Sequence, residues 1–304
     1  MSQLLLTCTI AGFFYLVIPG TGAFLTRRRW RRFRQAVLTA DEAPRLRYSD
    51  LTAPQPHWYR MHGRLEAIQE DHRIWVGDPT VSVICDLRAV PVFVLPSSRV
   101  DTDSLPDETP RLTYWKDLTA IPEGTPTYVA GRVEDQEGTL CFVPDAEGSP
   151  LVIVHDGREE DVPRRAMWTG RQRNEYWNHL TPISLVAGFV SLTLWGVIIF
   201  GMSRLQAIIA LVFALLPILP LFPPGVFGFY WYRRLWRGAR RIRAERDLAL
   251  ASQGHSGTER REYRFRRHES HRALRRELAA VACLLVGLGV NGYLVAAATA
   301  LMLR

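Results

Sequence analysis

Residues 205–243 read LQAIIALVFALLPILPLFPPGVFGFYWYRRLWRGARRIR, and the change of character after Tyr232 decides what kind of chain this is. The 28 residues from Leu205 to Tyr232 hold no Asp, Glu, Lys or Arg, whereas six of the next eleven are arginine. A helix rises about 1.5 Å per residue and the hydrocarbon core of a bilayer is about 30 Å thick, so about 20 apolar residues cross it. A run of that length ending in a block of guanidinium groups fits hydrocarbon meeting an anionic interface. Phe227, Phe229, Tyr230, Trp231, Tyr232 and Trp236 crowd the boundary, where amphipathic rings prefer to sit.

Three other stretches share this character, giving predicted spans at 3–26, 181–202, 205–232 and 279–303. The second and third are separated by so few residues that they must form a tight antiparallel hairpin. The mean hydropathy of −0.04 therefore averages two unlike populations. The net charge of +8 is just as uneven. Residues 26–179 carry 21 basic and 24 acidic side chains, and residues 233–278 carry 15 and 6. A basic excess confined to a short loop between spans points to lipid headgroups, and no nucleic-acid motif or stacking platform accompanies it.

The cations also set an orientation. With 26–179 and 233–278 on one face, only Arg204 and Arg304 of the 38 basic residues fall on the other. The positive-inside rule then places the soluble regions in the cytoplasm and both termini outside, in the cytoplasmic (inner) membrane. The first apolar run has no cation before it and is followed by Arg27–Arg28–Arg29–Trp30–Arg31–Arg32, which resists translocation and marks an anchor rather than a cleaved signal. Trp30, Tyr176 and Trp177 read as further interfacial rings. Near-exclusive use of arginine over lysine points to a GC-rich bacterial genome.

Between the first two spans, residues 27–57 read as a basic juxtamembrane helix broken at Pro44, then a linker holding Pro54 and Pro56. Residues 58–156 change to short β-branched and aromatic runs, with strands predicted at 58–68, 73–76, 80–89, 92–95, 127–133, 139–143 and 151–155. A polar acidic loop is expected over 100–110, and a hairpin around Asp135–Gly138. Such a pattern predicts a small closed barrel or sandwich. Residues 157–179 return the chain to the membrane. The 233–278 segment reads as two helical arms joined by a turn at Ser252–Gly257, without a broad apolar face and therefore solvated.

The third predicted span carries Pro217, Pro220, Pro223 and Pro224, so its inner half is expected to kink or unwind and leave carbonyls needing partners. Asn291 is the one amide well inside a span, and no charged residue lies in any of the four. Intramembrane ionisable groups line transport paths, so an ion-coupled carrier is disfavoured. Gly287, Gly289 and Gly292 smooth the fourth span for close packing within the chain or in a homo-oligomer.

Chemistry is sparse. His268 and His271 share a helical face, but Arg266, Arg267 and Arg272 would oppose a cation there, so no metal is expected. Cys8, Cys85, Cys141 and Cys283 have no ligand spacing and read as reduced thiols. His155–Asp156 ends a predicted strand with no nucleophile beside it. No catalytic motif appears, so neither a catalytic residue nor a cofactor is assigned. The candidate binding residues are Arg27, Arg28, Arg29, Arg31 and Arg32 after the first span, and Arg233, Arg234, Arg237, Arg240, Arg241 and Arg243 after the third. Juxtamembrane cations contribute about 1 kcal/mol each toward an anionic leaflet, and the same charges also determine topology.

The segment Ile121-Pro-Glu-Gly-Thr-Pro-Thr-Tyr-Val-Ala-Gly-Arg-Val133, followed by Gly138-Thr-Leu140 and Ser149-Pro-Leu-Val-Ile-Val154, is similar to the closing strands of GIDE-type domains. These resemble membrane-tethered OB-like β-barrels of the NfeD kind, and His62-Gly-Arg-Leu65 could match their opening strand. The resemblance covers about residues 58–156 and implies a membrane-associated interaction module with a helix before and after it. Eukaryotic relatives add a Cys/His RING for ubiquitin transfer; its ligands have no counterpart here, and ligase activity is not carried over.

The sequence thus predicts an α-helical membrane protein of four transmembrane helices with an inserted small all-β, OB-like cytoplasmic domain. Its expected role is a scaffold or regulatory protein that binds a protein partner and anionic phospholipid, with no nucleic acid. The alternative is a membrane enzyme or transporter-complex subunit whose site forms only in the fold.

Overall fold

The computed structural model describes residues 2–47, 58–69, 71–88, 90–97, 108–118, 120–136, 138–144, 149–171, 175–252 and 259–302. Two compact units emerge, one of Trp30–Arg173 and one of Met1–Arg29 with Asn174–Arg304. The predicted linker at 49–57, most of the acidic loop and the turn beyond Ser252 lie outside the described residues.

In the first unit, eight strands follow one another as β1 (Trp58–Ile68), β2 (Arg73–Gly77), β3 (Ser82–Asp86), β4 (Val92–Val94), β5 (Arg111–Thr113), β6 (Pro126–Gln136), β7 (Thr139–Val143) and β8 (Leu151–Val154). Five of them close a barrel in the order β1-β2-β3-β7-β6, with β6 returning to β1. Only β3 and β7 run parallel within that ring. Closure removes the exposed edges that invite aggregation and gives the OB-like arrangement. β8, β4 and β5 extend the sheet from β6.

Strand alternation explains the two faces. On β1, Tyr59, Met61 and Leu65 turn inward with Ile74, Val83, Val129 and Phe142 to fill the barrel. On the opposite register, Tyr128, Ile153 and Phe93 are also buried, because two helices cover that side. In the stretch of α2 (Ile18–Glu42) within this unit, Trp30, Phe33, Val37 and Ala40 form a buried stripe at helical spacing. Phe33 packs on Phe93 with ring centroids 4.2 Å apart, and Tyr128 donates to the Ala40 carbonyl at 3.1 Å. α3 (Trp115–Leu118) is a single turn, and α4 (Val162–Thr169) buries Val162, Ala166 and Met167. The expected interfacial role of Trp30 is therefore corrected: its ring is 4 % exposed and lies against Phe33 and Phe93. The predicted hairpin is present. Gly138 takes φ +84°, and its amide donates to the Asp135 carboxylate at 2.8 Å.

The second unit is helical. It holds α1 (Ser2–Gly12), a π-turn at Phe13–Val17, the start of α2, α5 (Leu180–Phe200), α6 (Arg204–Ala214), α7 (Pro223–Ser252) and α8 (Glu259–Met302). Three helices are long and apolar enough to cross a membrane, within Gln3–Glu42, Leu180–Phe200 and Arg267–Leu301. Of the four expected transmembrane helices, three are thus found as helices of membrane length among the described residues. The third apolar stretch is broken between α6 and α7, and α6 is only 11 residues long. Proline has no N–H for the carbonyl four residues earlier, so Pro217, Pro220 and Pro223 unwind the chain around them.

Candidate functional site

The arginine arms continue the apolar parts of α7 and α8, of which α8 alone is long and apolar enough to cross a membrane. α7 runs unbroken from Pro223 to Ser252, and α8 from Glu259 to Met302. They pack on each other: Ala239, Ala244, Ala273 and Ala280 are buried along a narrow seam of mostly small side chains, with Ile242 the one large residue buried among them. Arg243 pairs with Glu277 at 2.6 Å, and Arg246 donates to Ser270 at 2.7 Å. The arms are thus paired rather than separately solvated. The reason is that alanine and glycine allow close approach where no broad apolar face exists.

The predicted binding arginines sort into distinct roles. Arg233, Arg234, Arg237 and Arg241 are exposed on α7, as are Arg27, Arg28, Arg29, Arg31 and Arg32 on α2. Arg243 is engaged by Glu277, and Arg241 by Glu245 at 2.9 Å. Arg240 is half-buried over Trp236, 5.7 Å from the ring centroid, and Arg234 lies over Trp231 at 5.4 Å. Phe229, Tyr232 and Trp236 form a stacked series along α7. Cation–π contact of this kind contributes about 0.5–1 kcal/mol at exposed sites. The result is an amphipathic collar where the apolar part of α7 gives way to charge.

Polar side chains inside the apolar stretches are engaged by the backbone. The Asn291 amide donates to the carbonyls of Leu219 at 2.6 Å and Phe222 at 3.4 Å. Tyr15 donates to the Ala214 carbonyl at 3.2 Å. Pro19 deprives the Tyr15 carbonyl of its helical donor, and the Tyr176 hydroxyl supplies one at 2.7 Å. Ser184 donates to the Phe14 carbonyl, and Asn178 to the Pro19 carbonyl at 3.1 Å. In hydrocarbon each unmet carbonyl would cost several kcal/mol, so these side chains close the helix breaks.

His268 and His271 are both exposed, and no group of three or more metal-binding side chains occurs among the described residues. His155–Asp156 has more company than its sequence context indicated. His62 of β1 stacks near His155, and Arg165 of α4 bonds Asp156 at 2.8 Å. Sequence reading passed over both partners. His62 stood on the outward register of its strand, but nothing in the sequence aimed Arg165 at Asp156.

Comparison with known proteins finds no family model, no curated protein and no solved structure that matches this chain.

Proposed function

We propose that this chain is a multi-pass membrane scaffold whose arginine arms hold anionic lipid and whose barrel presents a surface to a protein partner. In this reading α6 and α7 together complete a fourth crossing, with the barrel and arms cytoplasmic and both termini outside. The carrying observation is the α7 collar, where exposed Arg233, Arg234 and Arg237 adjoin the rings of Trp231, Tyr232 and Trp236. That combination suits phosphate headgroups at the level where hydrocarbon ends. A closed barrel in a chain that also has membrane-length helices is compatible with the GIDE/NfeD-like resemblance. The engagement of intramembrane polar groups by backbone carbonyls favours this reading over a carrier, because it leaves those groups committed to structure.

The test replaces Arg233, Arg234, Arg237 and Arg241 with Gln and extracts the full chain in mild detergent. Wild type is expected to retain anionic phospholipid by native mass spectrometry and a stoichiometric protein on pulldown, and the variant to lose the lipid. A purified wild-type chain that turned over a lipid or moved a solute unaided would overturn the scaffold.

A further inference from the structure

Three cationic or imidazole side chains meet on the outer face of the barrel unit with polar atoms left over. His62 stands on β1 opposite Tyr128 of β6. His155 follows β8, its amide bonded to the Pro126 carbonyl at 3.1 Å. The two rings lie 5.1 Å apart, tilted by 35°. Arg165 reaches in from α4, where one guanidinium nitrogen serves both the Pro96 carbonyl, at 2.5 Å, and Asp156. His155 is 3 % exposed and Arg165 5 %.

The backbone fixes which proton His155 carries. The Gly157 amide donates to His155 Nδ1 at 3.2 Å, so Nδ1 is an acceptor and the ring hydrogen of the neutral imidazole sits on Nε2. That Nε2 is buried and has no hydrogen-bond partner. The other terminal nitrogen of Arg165, Nη1, is likewise buried without an acceptor, and so is His62 Nε2. Buried donors of this kind are rarely left unmet, and a guanidinium N–H least of all. Two of these three unmet atoms, His155 Nε2 and Arg165 Nη1, are donors, which argues against a metal ion and for an acceptor. Asp156 serves Arg165 from one side, and Glu159 and Arg45 act on His62 from the other.

We infer that His62, His155 and Arg165 form a binding site for a small oxyanion, the phosphate or carboxylate group of a low-molecular-weight ligand. Arg165 Nη1 and His155 Nε2 donate to its oxygens, and half-buried His62 supplies both a third contact and the access route from solvent. This site is independent of the arms and adds a ligand to a barrel otherwise read as an interaction surface.

The experiment uses the full chain in detergent micelles with histidine rings labelled with nitrogen-15. Sodium sulfate and sodium acetate are each titrated against sodium chloride at matched ionic strength. Two histidine ring signals, assigned by their loss in His62→Gln and His155→Gln, are expected to shift saturably with sulfate or acetate and not with chloride. The anion that saturates at lower concentration identifies the phosphate-like or carboxylate source. Arg165→Gln is expected to weaken the apparent affinity about tenfold or more, the effect of losing one charge-assisted contact. If that variant fails to fold, Arg165→Lys, which keeps the charge and loses the fork, is read in its place. Shifts that follow chloride, or saturation unchanged by the Arg165 substitution, would overturn the site.

Discussion

Asn291 Nδ2 lies 2.6 Å from the carbonyl oxygen of Leu219, the acceptor whose helical donor would have been the nitrogen of Pro223. Asn291 thus supplies a hydrogen bond in place of the one the Pro223 ring removed, to a carbonyl 72 positions away in the chain. Tyr176 does the same for the carbonyl of Tyr15, deprived by Pro19. Asn291→Ala should lower stability by about 0.5–1.5 kcal/mol, the net contribution of one hydrogen bond, because the Leu219 carbonyl keeps the Phe222 amide at 3.3 Å. Thermal unfolding in detergent checks this, with Tyr176→Phe expected to act in the same direction. A melting temperature unmoved by both changes would show that water or lipid groups fill these carbonyls instead.

Gly228 and Gly287 bring α7 and α8 together. A Cβ on Gly228 would lie 2.8 Å from the Cys283 carbonyl oxygen, whereas one on Gly289 would meet nothing within 4 Å. Gly228→Ala is therefore expected to destabilise the helical unit by about 1–3 kcal/mol. Gly289→Ala should stay within about 0.5 kcal/mol in the monomer. Gly289→Leu tests whether the open side of α8 meets a second copy, since a homo-oligomer built there would change mass on light scattering.

Acid should weaken the barrel unit through its histidines. Burial, the neighbouring His62 and Arg165 push His155 down to about 4 from 6.5, and burial also lowers His62, with Glu159 opposing and Arg45 assisting. Both imidazoles are therefore held neutral in the fold while the unfolded chain takes up protons first. The stability they supply is fully present above about pH 6.5 and is lost as pH falls toward 4. For His155 the loss amounts to at most roughly 3 kcal/mol. Chemical unfolding of the full chain across this window should show the slope, and His155→Gln should flatten it. A wild-type profile that is flat between pH 6.5 and 4 would refute the assignment.

Orientation has a direct check. With the native cysteines replaced, single cysteines at 110 or 255 should resist a membrane-impermeant reagent in intact cells and react after lysis. Labelling from outside would reverse the assigned sidedness.

The strands at Trp58–Ile68 and Thr139–Val143 match their predicted limits because two-residue alternation is a local property of the sequence. β5 was not legible. Its three residues, Arg111–Thr113, follow a polar run and become a strand only by pairing with β4. Trp30 sat among arginines and so resembled an interfacial ring, and its burial needs Phe93, which arrives 63 residues later. The prolines announced a break in the third apolar stretch, yet helix ends at Ala214, ahead of Pro217, rather than in the inner half alone. The arginines of the arms were plain as charge. Which of them Glu277 would claim depended on how α7 and α8 align, as did the meeting of Asp156 with Arg165 on the packing of α4.

The unbroken run of α8 has a mechanical consequence. Glu277 and Asn291 stand 14 residues apart on it, close to four turns, so they share one side of the same rod about 21 Å apart. One grips Arg243 and the other the Leu219 carbonyl. Were α8 to slip past α7 by a single turn, about 5.4 Å, both grips would release together. Whatever clamps the charged end therefore also locks the register at the proline break.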